Sequence, residues 1–276
     1  MSLNDNVFVK FETLKRMIKE KSDGFRNFIV LFSGGLDSTL LAKLAQDIIG
    51  DKAVAVFIDD ELVPSYIKDR ITTLSKQLGL NIKIISFNIL NFDDFTKNDT
   101  FRCYYCKYHR GLLIKKLFPE SLVADGTNID DLNDYRPGLK AAKELGIWHP
   151  YVDAGITKND IREYAKYIGL PIWNVPSESC LASRVFYGMR LSIDLLRQID
   201  KAETYLRNLG FKIVRARIFP GNLLKIEVGV DEIDKLLDPQ LRETIVNYMK
   251  ELGFSHVTLD LEGYISGKMN RNVKQK

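Results

Sequence analysis

Two groups of residues have the types and spacing to carry chemistry. The first is Ser33-Gly34-Gly35-Leu36-Asp37-Ser38, which directly follows the apolar run FIVLF at 28–32 and leads into STLLAKLAQDII at 38–49. A buried strand, a glycine turn and a helix start bring free peptide N–H groups and the positive helix end onto one anion-sized space. Glycine lets the chain approach that anion closely. The chemistry this suits is phosphate binding. The loop has neither the Lys-Ser/Thr pair of the mononucleotide P-loop nor the three-glycine spacing of the dinucleotide fingerprint, which disfavours both. An ordinary tight strand–helix turn is the bland alternative. Asp37 could be a helix-cap carboxylate, yet beside a phosphate it would repel unless a cation lay between, which points to Mg²⁺ at Asp37.

The second group is the cysteines. Cys103 and Cys106 form a C-x-x-C pair in RCYYCK, and Cys180 lies in ESCLASR. Both segments are expected to be loops leaving the sheet, and such loops can meet over a ligand crevice. Three thiolates suffice to hold a 4Fe-4S cluster and leave one iron open to an outside ligand such as sulfide. A zinc site completed by His109, redox dithiol chemistry and three buried structural thiols remain open beside it.

Other polar positions accompany these. Asp125-Gly126-Thr127-Asn128 follows the short strand at 122–124 and reads as a nucleotide-contacting loop or a plain turn. Ile58-Asp59-Asp60 ends another strand, where an adenine would lie. Ser183 and Arg184 follow Cys180 closely. Arg215 and Arg217 alternate along 211–219, so they share a face and could offer a forked donor set to phosphate or carboxylate. Glu227 on the partner strand could bind a cation or orient an arginine. A solvated strand face with cross-strand salt bridges explains the same pattern.

The elements that must position these residues follow from hydrophobic periodicity. Helical spacing at 7–21 precedes the strand at 28–32, the helix at 38–49 and a second buried strand at 53–58. A helix at 64–78, a strand at 82–87, a helix at 107–117 and the strand at 122–124 continue the alternation. TKNDIREYAKYIGLP, from Thr157, is a capped helix that closes the series. The class is α/β, a doubly wound parallel sheet over 1–185, with a smaller C-terminal α+β domain over 186–276. In that second domain a helix is expected at 192–209, strands at 211–219, 223–229 and 256–262, and a helix at 231–252. There is no internal repeat, and the tail GKMNRNVKQK looks frayed and solvated.

With 276 residues, 45% hydrophobic and 28% charged, the chain has an ordinary globular profile and length for two domains. The net charge of +4 helps attract an anionic substrate but gives no basis for coating nucleic acid. No apolar run approaches the ~20 residues of a membrane span. The N-terminus lacks the apolar core of a signal peptide, so a cytoplasmic location with reduced cysteines is expected.

The loop at 33–38 resembles the SGGxDS motif of the ATP pyrophosphatase family, an adenine nucleotide alpha hydrolase-like fold. Members cleave ATP between the α and β phosphates and leave pyrophosphate in this loop. Gly126-Thr127-Asn128 resembles the family's later GTN element. The resemblance thus implies ATP contacts at Ser33, Gly34, Gly35, Asp37, Ser38, Gly126, Thr127 and Asn128. Joined with DGTNIDDLNDYRPGLKAAKE, CLASR and its following YG, VRARIFPG and DLEGYISGKMN, the motif resembles the LarE family of ATP-dependent sulfur transferases over most of the chain.

That resemblance implies action on pyridinium-3,5-biscarboxylate mononucleotide, precursor of the nickel-pincer nucleotide of lactate racemase. It also implies a sulfide donor and a homo-oligomer, commonly a hexamer. The best-known members sacrifice one cysteine, at the position of Cys180, and leave dehydroalanine. This chain adds Cys103 and Cys106, so it is similar to the three-cysteine variety with a 4Fe-4S cluster as sulfide carrier. The expected chemistry is adenylation of a substrate carboxylate, then attack by sulfide with loss of AMP. Ser183, Arg184, Arg215 and Arg217 would anchor the substrate phosphate. A cluster-dependent tRNA-thiolating enzyme is the alternative, and it should show an extended basic surface or an added RNA-binding module. A cluster or zinc carrier without catalysis would leave SGGLDS unexplained.

Overall fold

The computed structural model describes residues 3–133, 137–265 and 267–270. In chain order the helices and strands are α1 (Asp5–Ser22), β1 (Asn27–Leu31), α2 (Leu36–Ile49), β2 (Ala53–Asp59), α3 (Ser65–Leu78), β3 (Ile82–Ser86), α4 (Asp93–Thr96), α5 (Arg102–Leu117), β4 (Ser121–Ala124), α6 (Pro137–Glu144), α7 (Pro150–Asp153), α8 (Lys158–Tyr167), α9 (Ile193–Asn208), β5 (Val214–Phe219), β6 (Leu223–Val228), α10 (Pro239–Glu251) and β7 (His256–Leu259). No described helix is long and apolar enough to cross a membrane.

Two units emerge: Met1–Asp60 with Ile67–Ile89 and Cys103–Glu178, and Glu61–Tyr66 with Leu90–Arg102 and Ser179–Lys276. The sequence reading placed its boundary after residue 185, and two short upstream segments that join the second unit carry no composition shift that would mark them.

In the first unit the strands run in the order β3-β2-β1-β4, all parallel. Strands covered on both faces read as continuous apolar runs, and β2 (AVAVFID) is buried at its first six positions. Ile29, Val54, Val56, Ile58 and Val123 pack with Ile114, Leu145 and Ile147 on one face. Elsewhere α1 buries Phe11, Leu14 and Ile18, and Phe11 stacks on Tyr164 of α8 at 3.8 Å between ring centroids. The chain steps outward from β1 to β2 and β3, then returns to place β4 on the other side of β1. That reversal opens a crevice at the carboxyl ends of β1 and β4, where doubly wound sheets bind ligands.

The second unit pairs β5 antiparallel to β6, with β7 parallel to β6. The turn at Gly221 and Asn222 has positive φ at both residues, 79° and 56°. One sheet face carries Val214, Ala216, Ile218, Leu224, Ile226 and Val228, all buried. The other carries Arg215, Arg217, Lys225 and Glu227. The β5 strand starts later than expected because the Glu232 carboxylate takes the N–H groups of Lys212 and Ile213. The helix expected at 231–252 is two elements. A 3-10 helix covers Val230–Leu237, and α10 starts anew where Asp238 caps the Leu241 N–H ahead of Pro239.

Gly34 has φ +70°, and a Cβ there would come 2.4 Å from Ile71 Cγ1. Gly34→Ala should therefore lower stability by at least about 1–2 kcal/mol, the cost of left-handed backbone for an L residue. Gly24→Ala, which meets nothing within 4 Å, should stay much closer to wild type in urea unfolding.

Candidate active site

The crevice at the end of β1 is built by two loops. Residues 32–35 carry the chain into α2, and Gly35 at the helix start has no side-chain cap. The N–H groups of a helix's first turn cannot bond within the helix, so they present positive charge to that space. Hydroxyl groups brace the turn. Ser38 Oγ accepts from Ser33 N–H at 3.1 Å and donates to Gly35 O at 3.2 Å, while Thr39 Oγ1 donates to the same carbonyl at 2.8 Å. The second loop packs against the first, since a Cβ on Gly126 would lie 3.0 Å from Asp37 Cβ and from Ser38 N. Thr127 and Asn128 are buried, and Asn128 Oδ1 accepts from Asp130 N–H at 3.0 Å. The eight residues expected to contact ATP thus lie on two touching loops at the reversal of strand order.

Charged residues that the sequence reading passed over surround these loops. Lys158 Nζ lies 2.5 Å from Asp37 Oδ1, so a lysine stands where a cation between Asp37 and a phosphate was expected. Asp125 is paired with Lys107 and, at 2.7 Å, with His149 Nδ1. Burial pushes the Asp125 carboxyl up, but these two neighbours outweigh it and hold it well below the usual carboxylate range. Arg110 binds Asp60 at the end of β2. Lys107 and Arg110 both belong to α5, one turn apart, and pin that helix to the carboxyl edge of the sheet. Their signal was basic residues just after a C-x-x-C pair. That of Lys158 was its place at the first position of a capped helix.

Cys103 and Cys106 are not loop residues, as expected from the sequence, but sit in the first turns of α5. Arg102 starts the helix five residues before the expected point. Their i, i+3 spacing puts both thiols on one helix face. Cys103 is exposed, Cys106 half-buried, and neither is in a disulfide. Cys180, also without a disulfide, belongs to the second unit, where it precedes a 3-10 helix at Leu181–Arg184; it does not leave the parallel sheet. Among the described residues no group of three or more His, Cys, Asp or Glu side chains is assembled for a metal. Thiolates are the donors that iron–sulfur clusters take, and each of the three is at least half-accessible in its own unit.

The arginines differ from expectation. Arg184 is 0% exposed and bonds through all three guanidinium nitrogens to protein groups. Nε and Nη2 meet the two oxygens of Glu203 at 2.8 and 3.0 Å, and Nη1 donates to the Ser179 and Cys180 carbonyls. Burial raises the Glu203 carboxyl, but Arg184 holds it below its ordinary value. Arg217 binds Glu227 Oε1 at 2.7 Å and the Ser183 carbonyl at 3.0 Å. Arg215 donates to Val214 O and lies over the Tyr264 ring. Ser183 Oγ donates to Cys180 O at 2.7 Å. In this structure Ser183, Arg184, Arg215 and Arg217, expected as a donor fork for phosphate, bond to protein groups. Glu227 orients an arginine, one of its two expected roles. Residues 134–136 of the DGTN motif stretch, Ser266 and the tail 271–276 lie outside the described residues.

Arg184→Met leaves the Glu203 charge buried and should cost roughly 3–5 kcal/mol in denaturant unfolding. Asp260 is pulled from 3.8 to about 2: burial raises it, but hydrogen bonds from Lys225, Lys268 and the Glu262 N–H prevail. A depressed carboxyl stabilises the fold above its unfolded pKa. The advantage of wild type over Asp260→Asn should thus be full above pH 3.8 and fade as the pH falls toward about 2, read as urea midpoints across that series.

Comparison with known proteins agrees with this architecture. The NAD synthase family matches residues 9–101, which hold the glycine loop. The pyridinium-3,5-bisthiocarboxylic acid mononucleotide synthase of Lactiplantibacillus plantarum is 38% identical over 245 residues, covering 87% of this chain and 88% of its own. An uncharacterized protein of Synechocystis is 36% identical over 92% of this chain and 98% of its own. A second uncharacterized protein, from Methanocaldococcus jannaschii, is 34% identical over 93% of this chain and 98% of its own. The nucleotide-loop fold and a synthase alike over nearly its whole length place this chain in the LarE family, as an enzyme of that group.

Proposed function

We propose that this enzyme converts a carboxylate of a pyridinium mononucleotide into a thiocarboxylate at the expense of ATP. The single observation that carries the reading is the pair of touching loops, Ser33–Ser38 and Gly126–Asn128, at the reversal of strand order in a chain 38% identical to the bisthiocarboxylic acid mononucleotide synthase. A carboxylate resists a sulfur nucleophile because it is anionic and its oxygen is a poor leaving group. Adenylation removes both obstacles. A carboxylate oxygen attacks the α-phosphorus, the bond to the β-phosphate bridging oxygen breaks, and pyrophosphate departs into the N–H groups of the glycine loop. Asp37 would hold a Mg²⁺ ion, which when bound would supply positive charge beside the departing pyrophosphate. Sulfide then attacks the acyl carbon, the bond to AMP breaks, and the thiocarboxylate is released.

Cys103, Cys106 and Cys180 are the proposed ligands of a 4Fe-4S cluster, which when bound would supply an iron with no protein ligand for sulfide. The protein's own part in this is orientation. Lys107 and Arg110 fix α5, and so its two thiols, against the sheet edge through Asp125 and Asp60. Arg184 and Ser183 fix the backbone of Cys180 through its carbonyl.

Anaerobically reconstituted enzyme is incubated with ATP, Mg²⁺, sulfide and pyridinium-3,5-biscarboxylate mononucleotide, with mass spectrometry of product and protein. Thiolated product in excess of enzyme, AMP in step with it and an unchanged protein mass are expected. Cys103→Ser, Cys106→Ser and Cys180→Ser should each lower bound iron and acid-labile sulfide. A protein mass lower by one sulfur and two hydrogens, with at most one turnover, would replace the cluster reading with sacrifice of Cys180. Absence of AMP would overturn the adenylation itself.

A further inference from the structure

Arg102 is a buried cation whose partners in the chain are all neutral. It is 5% exposed, and its Nη1 donates to Asn98 Oδ1 and, at 2.8 Å, to the Ala182 carbonyl. The guanidinium lies over the Tyr187 ring, 5.0 Å from its centroid, and Nε is buried with no hydrogen-bond partner among the described residues. Arg184 and Arg217, buried to a similar degree, meet Glu203 and Glu227. Arg102 meets no carboxylate among the described residues. A guanidinium taken out of water is costly unless an anion pairs with it, and a ring face with two neutral oxygens returns only part of that cost. Its place in the chain says which anion is near. Arg102 opens α5, Cys103 follows it directly, and Cys106 sits one turn further along the same helix. Ala182, whose carbonyl it holds, comes two residues after Cys180. Asn98 locks the arrangement: fully buried with φ 56°, it donates through Nδ2 to the Phe186 and Met189 carbonyls, both at 2.9 Å, and its own carbonyl accepts from Gly188 N–H. All of these bonds lie within the second unit, of which Arg102 is a member.

We propose that Arg102 is a positioning and charge-compensating residue for the iron–sulfur group: its guanidinium offsets the negative charge gathered at the thiolates, and its bond to Ala182 holds the Cys180 segment to the start of α5. The inference rests on the cluster reading of Cys103, Cys106 and Cys180. Thiolate ligands outweigh the positive charge of an iron–sulfur core, so the ligated group is an anion, and reduction makes it more negative. A fixed cation shielded from water favours the more negative state, and the N-terminal end of α5 adds positive charge of the same kind. Without the group, the guanidinium faces only carbonyl-type oxygens and a ring. With it, the buried charge has its counterpart. The single hydrogen bond to Ala182 has a second effect, because it closes a loop of chain whose two ends carry Cys103 and Cys180.

The test is a redox titration rather than turnover. Anaerobically reconstituted enzyme, free of nucleotide and substrate, is titrated spectroelectrochemically, and iron and acid-labile sulfide are counted per chain. Arg102→Met should disfavour reduction by about tenfold, a midpoint lower by about 60 mV for one electron, and should at least halve the bound iron. Arg102→Lys, which keeps the charge, should stay within about twofold of wild type on both measures. Complete loss of iron from folded Arg102→Met, with Arg102→Lys still loaded, supports the proposal equally. Should Arg102→Met fail to fold by circular dichroism, Arg102→Gln carries the same expectations. An unchanged midpoint in a folded, fully loaded neutral variant overturns the role of Arg102 alone. Equal losses in Arg102→Lys and Arg102→Met overturn it too, since packing rather than charge then decides. Wild type that takes up no iron overturns the cluster reading and this inference together.

Discussion

Peptide N–H groups at the start of an α-helix have no carbonyl within the helix to bond, and α2 begins where β1 emerges at the carboxyl edge of a parallel sheet. The crevice is organised around that concentration of donors. Placing β4 beside β1 brings Gly126 against the first turn of α2, with little room for a side chain. The apolar strands make this rigid: β1 and β2 are buried on both faces, so the loop between β1 and α2 inherits a fixed floor. An anion there is met by a preformed array, which is what electrostatic stabilisation of a departing pyrophosphate requires.

Charge compensation is the second theme, and it takes opposite forms in the two units. At the nucleotide crevice the pairs reach solvent: Lys158 and Asp37 are both about a quarter exposed, and Lys107 is as exposed over a buried Asp125. In the second unit they are sealed. Arg184 and Glu203 have no exposed surface, and Arg217 with Glu227 is close to that limit. A buried pair adds little net stability over an apolar one of equal shape, but removing either partner is expensive. Its value here is geometric, because Arg184 and Ser183 hold the carbonyl of Cys180, the thiol proposed as a cluster ligand.

Much of this was legible in the sequence for identifiable reasons. The continuous apolar runs at 28–32 and 53–58 announced parallel strands, and the glycine pair between strand and helix announced the phosphate loop. What escaped were features that depend on tertiary partners. The partners of Arg217, the Glu227 carboxylate and the Ser183 carbonyl, come from other segments, which periodicity along one strand cannot show. The helix bearing Cys103 and Cys106 was read as starting at 107, because YYCKYHR lacks a clean apolar stripe and is held by Lys107 and Arg110 instead. The break at Asp238-Pro239 did carry a local signal, a capping carboxylate before a proline, and an apolar pattern on both sides masked it.

The account stands on a carboxylate oxygen attacking the α-phosphorus of ATP in the crevice between the two loops. That event leaves an isotopic record. With ¹⁸O placed in the substrate carboxylates, each turnover should carry one labelled oxygen into the phosphate of AMP, with unlabelled pyrophosphate, as read by mass spectrometry of both. Label found in inorganic phosphate with ADP as the nucleotide product, or AMP formed without label, would contradict the account.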